Sequence, residues 1–255
     1  MPNRLKTLFE AGNPAIGSWV GFPDLYTVEV MADAGFDFLM VDAEHNPISR
    51  DALRSILVAM KGSISTPVVR VQSNTVDHIQ TALDLGAQAV VVPMINSTDD
   101  AQRAVKAAKY PPAGARGFGP IRASRYFQEA AAYAAAANTD TCLIFQIETP
   151  EAAAHFDEIV GVGSVDAIFI GPSDIANFMN LAAQISHPDV VKAVDGVIEK
   201  ARARKIPYGL PTWTPEECLS YVNRGGQFLT LGGDLHFLST GARGTLSQMR
   251  NLLKA

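Results

Sequence analysis

Residues 142–151 read Cys142-Leu-Ile-Phe-Gln-Ile-Glu148-Thr-Pro-Glu151, and this stretch decides the fold. The run that ends at Ile147 is short, apolar and rich in branched and aromatic side chains, which is typical of a strand buried in a parallel sheet. Thr149-Pro150-Glu151 then gives a capping hydroxyl, a first-turn proline and an acid, in the order that begins a helix. The stretch therefore predicts one β/α unit, with Glu148 at the carboxyl end of its strand.

The same unit recurs along the whole chain. Strands are predicted at residues 16–20, 36–41, 68–71, 89–93, 143–147, 167–170, 207–210 and 228–231. Helices are predicted at residues 24–34, 49–60, 75–84, 98–108, 150–159, 188–204, 215–223 and 235–253. Eight strands that alternate with eight helices over a chain of this length predict an α/β protein with one (β/α)₈ TIM barrel. No linker composition divides residues 1–255, so we expect a single domain.

One irregular segment interrupts this pattern at residues 110–126, where glycine and proline are frequent. It is too long for an ordinary barrel connection, and such loops usually bind a ligand or a partner.

Composition excludes several classes of protein. The 255 residues are 47% apolar and 18% charged, with a net charge of -5 and no basic stripe that would neutralise nucleic-acid phosphates. No basic-then-apolar leader and no membrane-spanning apolar run are present, so we expect no membrane association. Cys142 and Cys218 lack the spacing of a zinc site, and two reduced thiols are typical of a cytoplasmic protein.

A second acid follows a buried strand in Ala167-Ile-Phe-Ile-Gly-Pro-Ser-Asp174. Because the carboxyl ends of barrel strands converge on the catalytic face, Glu148 and Asp174 should lie near each other. Two hard oxygen ligands without a cysteine or histidine cluster favour a Mg²⁺- or Mn²⁺-type ion that keeps open positions. The pair therefore predicts a metal-assisted enzyme.

Further polar side chains are predicted on the same face. His45 follows the second strand in a turn and is a candidate general base. Arg70 ends the third strand within an apolar run and needs an anionic partner. That partner is either a nearby carboxylate, Asp42 or Glu44, or an anionic substrate, and the spacing leaves both open.

The fifth and sixth strands add to this set. Gln146 lies two residues before Glu148, so both side chains point to the same side of their strand. Gly171-Pro172-Ser173-Asp174 is predicted to form a tight turn whose backbone N–H groups could cradle a carboxylate.

Five separated motifs together resemble a known family, the HpcH/HpaI family of metal-dependent (class II) pyruvate aldolases. They are Val41-Asp-Ala-Glu-His45, Pro67-Val-Val-Arg70, Tyr110-Pro-Pro-Ala-Gly-Ala-Arg-Gly117, Gln146-Ile-Glu148 and Ile168-Phe-Ile-Gly-Pro-Ser-Asp174. The resemblance covers nearly the whole chain. It implies reversible cleavage of 4-hydroxy-2-oxo acids to pyruvate and a small aldehyde through a metal-stabilised enolate, with oxaloacetate decarboxylation as a side activity.

The resemblance also implies roles for particular residues. Glu148 and Asp174 would bind Mg²⁺, Mn²⁺ or Co²⁺, and Gln146 and Ser173 would help to hold pyruvate on the ion. Arg70 would stabilise the enolate oxygen. His45 would move protons, and Asp84 would raise the basicity of that histidine.

The expectations for Asp84 and Trp19 depend on where these residues lie in the barrel. Asp84 ends a helix on the opposite face of the barrel from His45, so it would act from a neighbouring subunit. The family habit of a hexamer built from trimers would allow this. Trp19 ends the first strand and either lines the aldehyde pocket or packs as an ordinary core residue.

The sequence leaves three other functions to compare with a metal-dependent aldolase. All lysines fall on helices or connections away from the carboxyl ends of strands, which disfavours an aldolase that forms a Schiff base. An acyl-CoA thioester lyase of the citrate lyase β type would have more basic residues for the CoA phosphates. A catalytically silent barrel that binds an oxo acid is the non-enzymatic alternative, and metal-dependent turnover separates it from an aldolase.

Overall fold

A computed structural model describes residues 3–254 and contains nine parallel strands in one sheet. The strands are β1 (Ala15–Val20), β2 (Phe38–Asp42), β3 (Thr66–Arg70), β4 (Ala89–Val92), β5 (Cys142–Ile147), β6 (Ala167–Ile170), β7 (Tyr208–Gly209), β8 (Pro211–Thr212) and β9 (Phe228–Gly233). Their order across the sheet is β7-β6-β5-β4-β3-β2-β1-β9-β8.

Helices follow most of the strands and surround the sheet. They are α1 (Arg4–Glu10), α2 (Leu25–Asp33), α3 (Arg50–Ala59), α4 (Val76–Asp84), α5 (Thr98–Ala108), α6 (Ala130–Asp140), α7 (Pro150–Ala154), α8 (Phe156–Gly161), α9 (Pro172–Phe178), α10 (Pro188–Ala203), α11 (Pro215–Asn223) and α12 (Asp234–Leu252). Within residues 3–254, no helix is both long and apolar enough to cross a lipid bilayer.

The barrel closes through β7 and β8, which form a single strand interrupted at Leu210. β7 pairs with β6 on one side, and β8 pairs with β9 on the other. The N–H of Gln227 also donates to the carbonyl of Tyr208 at 2.8 Å, which joins the two edges. The nine strands are thus the eight of a (β/α)₈ barrel with the seventh broken, and the predicted TIM barrel is confirmed.

The core has two layers because alternate side chains of each strand point to opposite sides. Phe38, Met40 and Phe228 belong to a cluster inside the barrel, and Leu39 and Val41 belong to the larger cluster between strands and helices. The inner cluster also includes two residues of α1. This helix fills the amino-terminal end of the barrel and leaves the carboxyl end for a site.

The structure differs from the predicted elements in several places. The helices α1, α6 and α9 were not predicted, and the predicted helix 150–159 divides into α7 and α8 at His155. The irregular segment extends to residue 129 as a series of turns. It precedes α6, and no regular element lies within it.

Candidate active site

A cavity of about 390 Å³ opens at the carboxyl ends of the strands. Most of the predicted site residues line it: Trp19, His45, Arg70, Gln146, Gly171, Ser173 and Asp174. No lysine lines this cavity in the described chain, as expected from the positions of the lysines in the sequence. Glu148 is not among the lining residues but accepts a hydrogen bond from Gln146, which is, and Asp84 lies at the end of α4.

Glu148 follows β5 and is held by two donors. Its Oε1 accepts a 2.7 Å hydrogen bond from the backbone N–H of Met94, and its Oε2 accepts one from the amide of Gln146. Met94 makes this contact with a left-handed backbone, at φ 55°, which is uncommon for a residue with a side chain. Burial raises the pKa of Glu148 to about 7, although both hydrogen bonds act to lower it. A nearby cation would favour the ionised form of this carboxyl group.

Gly171 leaves a small space between the two predicted metal ligands. A Cβ added to Gly171 would lie 3.4 Å from Oε2 of Glu148 and 3.5 Å from Oδ2 of Asp174, so both carboxylates border the same glycine. Carboxylate oxygens on one such space suit a hard divalent ion. Within residues 3–254, no set of three or more His, Cys, Asp or Glu side chains is placed to hold a metal. Two carboxylates alone would occupy two positions of such an ion and leave the others for water or substrate.

The predicted tight turn at Gly171-Pro172-Ser173 is wrong in one respect, because it is the first turn of a helix. Pro172 begins α9, and Asp174 lies in the first turn. A proline is accommodated at the first position of a helix, since its missing N–H has no partner there in any case. The helix sets the direction of Asp174 toward the cavity.

Arg70 ends β3 and pairs with two carboxylates. Its Nε donates to Oδ1 of Asp42 at 2.9 Å and lies 3.3 Å from Oε2 of Glu44. The guanidinium carbon lies 4.5 Å from the ring centroid of Trp19, which is a cation–π distance. Of the two partners that the sequence left open, the nearby carboxylates are present, and the substrate role stays a prediction.

The two carboxylates beside Arg70 differ in their protonation. Burial opposes ionisation of Asp42, but the hydrogen bond and charge of Arg70 outweigh it and hold the pKa of Asp42 below its usual value. Burial raises the pKa of Glu44 to about 7, and Arg70 offsets only part of that shift. The site thus contains one firmly ionised acid and one that titrates near neutral pH.

His45 lies in the turn after β2, at the rim of the cavity. Its side chain is 59% exposed, and Nε2 lies 3.6 Å from Oε2 of Glu44. Among residues 3–254, the acid within ion-pair distance of the imidazole of His45 is therefore Glu44, which the sequence offered only as a partner for Arg70.

Asp84 ends α4, at the opposite end of the barrel from His45. Its Oδ1 accepts a 2.5 Å hydrogen bond from Nη2 of Arg116, a residue of the irregular segment. The side chain of Arg116 is fully buried and lies over the ring of Tyr110 at 4.6 Å. Within one chain Asp84 therefore holds the irregular segment through Arg116. Its action on the His45 of a neighbouring subunit stays a prediction.

Several lining residues were missed by the sequence reasoning. Phe169 points into the barrel from β6, and Trp213, Leu235 and His236 come from the segments after β8 and β9. The last three could have been found from their places in the sequence, because each follows the carboxyl end of a barrel strand. Trp213 lies in Pro211-Thr-Trp-Thr-Pro215, directly after the seventh predicted strand.

The fold and the cavity define a barrel enzyme that keeps two facing carboxylates, an arginine and a histidine at its carboxyl end. Comparison with known proteins gives the family. The model of the HpcH/HpaI aldolase/citrate lyase family matches residues 15–240, and the chain belongs to this family.

Individual relatives cover nearly the full length. A 4-hydroxy-2-oxo-heptane-1,7-dioate aldolase of Salmonella typhimurium is 37% identical over 244 residues, which are 95% of this chain and 92% of the relative. A crystal structure of a family member from Burkholderia cenocepacia has a TM-score of 0.93 at 29% identity, covering 97% of this chain and 99% of that one. An HpcH/HpaI aldolase from Desulfitobacterium hafniense has a TM-score of 0.90 at 27% identity, with 96% of each chain covered. The protein is an enzyme, a lyase of the aldolase type.

Proposed function

We propose that this protein is a divalent-metal-dependent aldolase that reversibly cleaves 4-hydroxy-2-oxo acids to pyruvate and an aldehyde. The observation that carries the proposal is the approach of Glu148 and Asp174 to the space beside Gly171, next to a cavity that Arg70 lines. The Salmonella relative is named for a substrate of this chemical class, 4-hydroxy-2-oxo-heptane-1,7-dioate. Oxaloacetate decarboxylation, which passes through the same enolate, is the proposed side activity.

Glu148 and Asp174 would hold the ion, for which Mg²⁺, Mn²⁺ and Co²⁺ are the candidates. When bound, such an ion acts as a Lewis acid on the keto and carboxylate oxygens of an oxo acid. Gln146 orients Glu148 through its amide, and Ser173 and Gly171 border the same space. These residues form the donor side of the cavity, where pyruvate would lie.

Arg70 would stabilise the charge that develops on the oxo acid. In cleavage, the C3–C4 bond breaks and its electrons move to the C2 oxygen, which becomes an enolate. A fixed guanidinium beside that oxygen stabilises the transition state more than the ground state. The ion pairs with Asp42 and Glu44 and the contact with Trp19 fix the position of the guanidinium before substrate binds.

His45 would move the protons that cleavage requires. A base removes the proton of the C4 hydroxyl while the aldehyde forms, and a proton then returns to C3 to give the methyl group of pyruvate. An imidazole suits both steps because one ring nitrogen can accept a proton while the other donates one. Its exposure at the rim and the nearby Glu44 support this role. In an assembly Asp84 of a neighbouring subunit would act on the same ring.

Exchange of the methyl protons of pyruvate in D₂O tests the proposal. The ¹H signal of pyruvate should decay with enzyme and Mn²⁺, and the decay should stop after chelator treatment. Exchange that ignores the chelator would contradict the metal role. Absence of exchange in either sample would contradict the aldolase, and would place a citrate-lyase-type thioester lyase or a silent oxo-acid-binding barrel ahead of it.

We further propose a homo-oligomer, arranged as a hexamer from two trimers. Apolar side chains are exposed along α12 beyond the cavity, and a second copy of the chain would cover them: Leu238, Leu246, Met249 and Leu252. Light scattering should give six times the 27.3 kDa of one chain. A monomeric mass would contradict the assembly and the role of Asp84 with it.

Cys142 and Cys218 are both buried free thiols, which supports a reducing, cytoplasmic location.

A further inference from the structure

The cavity has two chemically different sides. The carboxylates, Gln146 and Arg70 form the donor side. The other side is built from β8 and from the segments after β8 and β9, and its lining is mainly carbon: Pro211, Trp213, Leu235 and His236. Because both sides border one cavity, a molecule that reacts with a donor-bound enolate would rest against this second side, which we call the acceptor wall.

Three aromatic rings give the acceptor wall its shape. Trp213 meets the ring of His236 edge-on at 5.3 Å, and His236 stacks on Phe237 at 5.9 Å with an interplanar angle of 22°. The backbone N–H of Trp213 donates to Oε2 of Glu217 at 2.8 Å. Trp213 is nevertheless 48% exposed, so a large aromatic surface is held in place and remains open to contact.

The charges around the cavity do not suit an anionic acceptor. Arg70 is the only lysine or arginine that lines the cavity in the described chain, and Asp42 and Glu44 already pair with it. On the donor side Asp174 would be occupied by the ion, and the remaining acid of the lining, Asp234, adds negative charge. A carboxylate on an acceptor that rests against the acceptor wall, away from the ion, would lose water without gaining a cation from this wall.

Neither remaining polar group of the acceptor wall compensates for this. The carboxylate of Asp234 is buried and accepts hydrogen bonds from the backbone N–H groups of Gly21, Phe22 and Leu235. His236 forms no ion pair within residues 3–254, and its Nδ1 is buried without a hydrogen-bond partner. The wall therefore offers an aromatic and aliphatic surface without an ion-pairing group.

We propose that the acceptor wall selects an uncharged aldehyde with an apolar or aromatic body, and that Trp213 is the residue that determines this specificity. The inference rests on the proposed aldolase function and names the substrate class of its acceptor. Burial of an apolar acceptor against Trp213 gains contact area, whereas a terminal carboxylate is placed next to apolar carbon and acids.

Paired aldehydes that differ by one carboxylate test the selection. Butanal is compared with 4-oxobutanoate, and benzaldehyde with 4-formylbenzoate, using the Mn²⁺-loaded enzyme and pyruvate. We expect kcat/KM for the uncharged member of each pair to be higher by about tenfold or more, since desolvating an unpaired carboxylate costs at least this factor. Equal values, or a preference for the acids, would overturn the proposal.

Variants of Trp213 test the residue itself. Trp213→Lys places a cation on the wall and should lower the preference for the uncharged aldehydes by about tenfold. Trp213→Ala should raise KM for benzaldehyde, and Trp213→Phe should restore most of the loss. Tyr26→Ala, a change at an exposed aromatic residue of α2 outside the cavity, is the matched control. If Trp213→Lys and Trp213→Ala keep the wild-type KM values and preference, Trp213 does not determine specificity.

Proton exchange on pyruvate separates this inference from the proposed function. It needs no aldehyde, so it reports the donor side alone. Wild-type enzyme that exchanges protons but shows no preference for uncharged aldehydes contradicts only the acceptor wall. Enzyme that fails to exchange protons contradicts the aldolase and the acceptor wall together.

Discussion

Arg70 is the residue around which the charges of the site are arranged. One guanidinium faces two buried acids, of which Asp42 is ionised and Glu44 titrates near neutral pH. Such a group is held in place without being fully neutralised, because a protonated Glu44 leaves positive charge available for an enolate oxygen. The same pairing makes the arginine structurally important, since its removal leaves acids buried without a partner.

Replacement of Arg70 should therefore remove enolate chemistry. For Arg70→Ala we expect the rate of pyruvate proton exchange to fall by about a hundredfold or more, the usual effect of deleting a group that stabilises an oxyanion. Arg70→Lys keeps a charge but not the Nε contact, and it should retain a small part of the rate. Thermal unfolding of each variant shows whether the barrel is intact. Exchange at the wild-type rate in folded Arg70→Ala would refute the role, and Arg103→Ala on the surface of α5 serves as the control.

Metal affinity should depend on pH through Glu148. In the metal-free protein, burial raises the pKa of this carboxyl group from 4.5 to about 7, so a bound ion must displace a proton at lower pH. The affinity for Mn²⁺ should rise by about tenfold for each pH unit from pH 5 to 7 and level off above. Calorimetric titrations at pH 5.5, 6.5 and 7.5 measure this slope, and an affinity that does not change with pH would contradict it. Glu148→Gln should bind the ion more weakly and lose most of the slope.

The same raised pKa affects the stability of the metal-free protein. The folded state binds the extra proton between pH 4.5 and about 7, whereas the unfolded state has released it. The stability contributed by the neutral carboxyl group is present below pH 4.5 and is lost as the pH rises to about 7. Saturating Mn²⁺ should reverse this trend, because it favours the ionised form.

At the scale of elements, the junction of β6 and α9 controls the metal site. Gly171 has an ordinary backbone at φ -104°, so an alanine is compatible with its conformation. Its Cβ would lie 2.8 Å from the Cβ of Glu148, however, and would enter the space between the two carboxylates. We expect Gly171→Ala to weaken Mn²⁺ binding by about tenfold or more, since displaced ligands lose much of their affinity. Unchanged binding would show that the ion lies elsewhere.

A glycine in a helix away from the site provides the matched control. Gly196 lies within α10, and no atom lies within 4 Å of an added Cβ. Gly196→Ala should stabilise the protein by about 0.5–1 kcal/mol, because alanine loses less backbone entropy in a helix. Its Mn²⁺ affinity should match the wild type in the same calorimetric titration. The comparison separates blockage of the metal space from a general effect of adding a methyl group.

The helices and strands could be predicted where apolar and polar residues follow a clear pattern in the sequence. All eight predicted strands correspond to strands, with ends that differ by a few residues. The helix α6 was missed because Ala130–Asp140 carries alanine on every side and so lacks an amphipathic period. The helix α9 was missed because its Gly171-Pro172 start resembles a turn. The two failures have different causes: α6 lacks a pattern that shows which face is buried, and the start of α9 has the residues of a turn.

Across the whole molecule, the site depends on which strands become neighbours. The sequence placed Glu148, Asp174, Arg70 and His45 at strand ends, and a barrel brings all strand ends to one face. It did not show that Glu44 is the acid beside His45, or that Trp213 and His236 share a wall with Leu235. The contact of Trp213 with His236 joins segments that lie apart in the chain, and its distance follows only from closure of the barrel. Glu44 is next to His45 in the sequence, but the direction in which their side chains turn after β2 is set by the fold. Asp84 illustrates the same limit, because its predicted partner would belong to another chain.

The closure of the barrel can be tested at Gly209. Gly209 in β7 lies against the backbone of Phe228, and an added Cβ would overlap the carbonyl group of that residue. Backbone atoms of a closed sheet cannot move aside as a flexible side chain can, so Gly209→Ala must separate β7 from β9. We expect a loss of about 3 kcal/mol or more, the upper range for overpacking, and a melting temperature lower by roughly 6–12 °C. Gly161→Ala, which meets no atom within 4 Å at the end of α8, should melt within about 2 °C of the wild type. If Gly209→Ala melts together with this control, the strand that closes the barrel has room that the structure does not show.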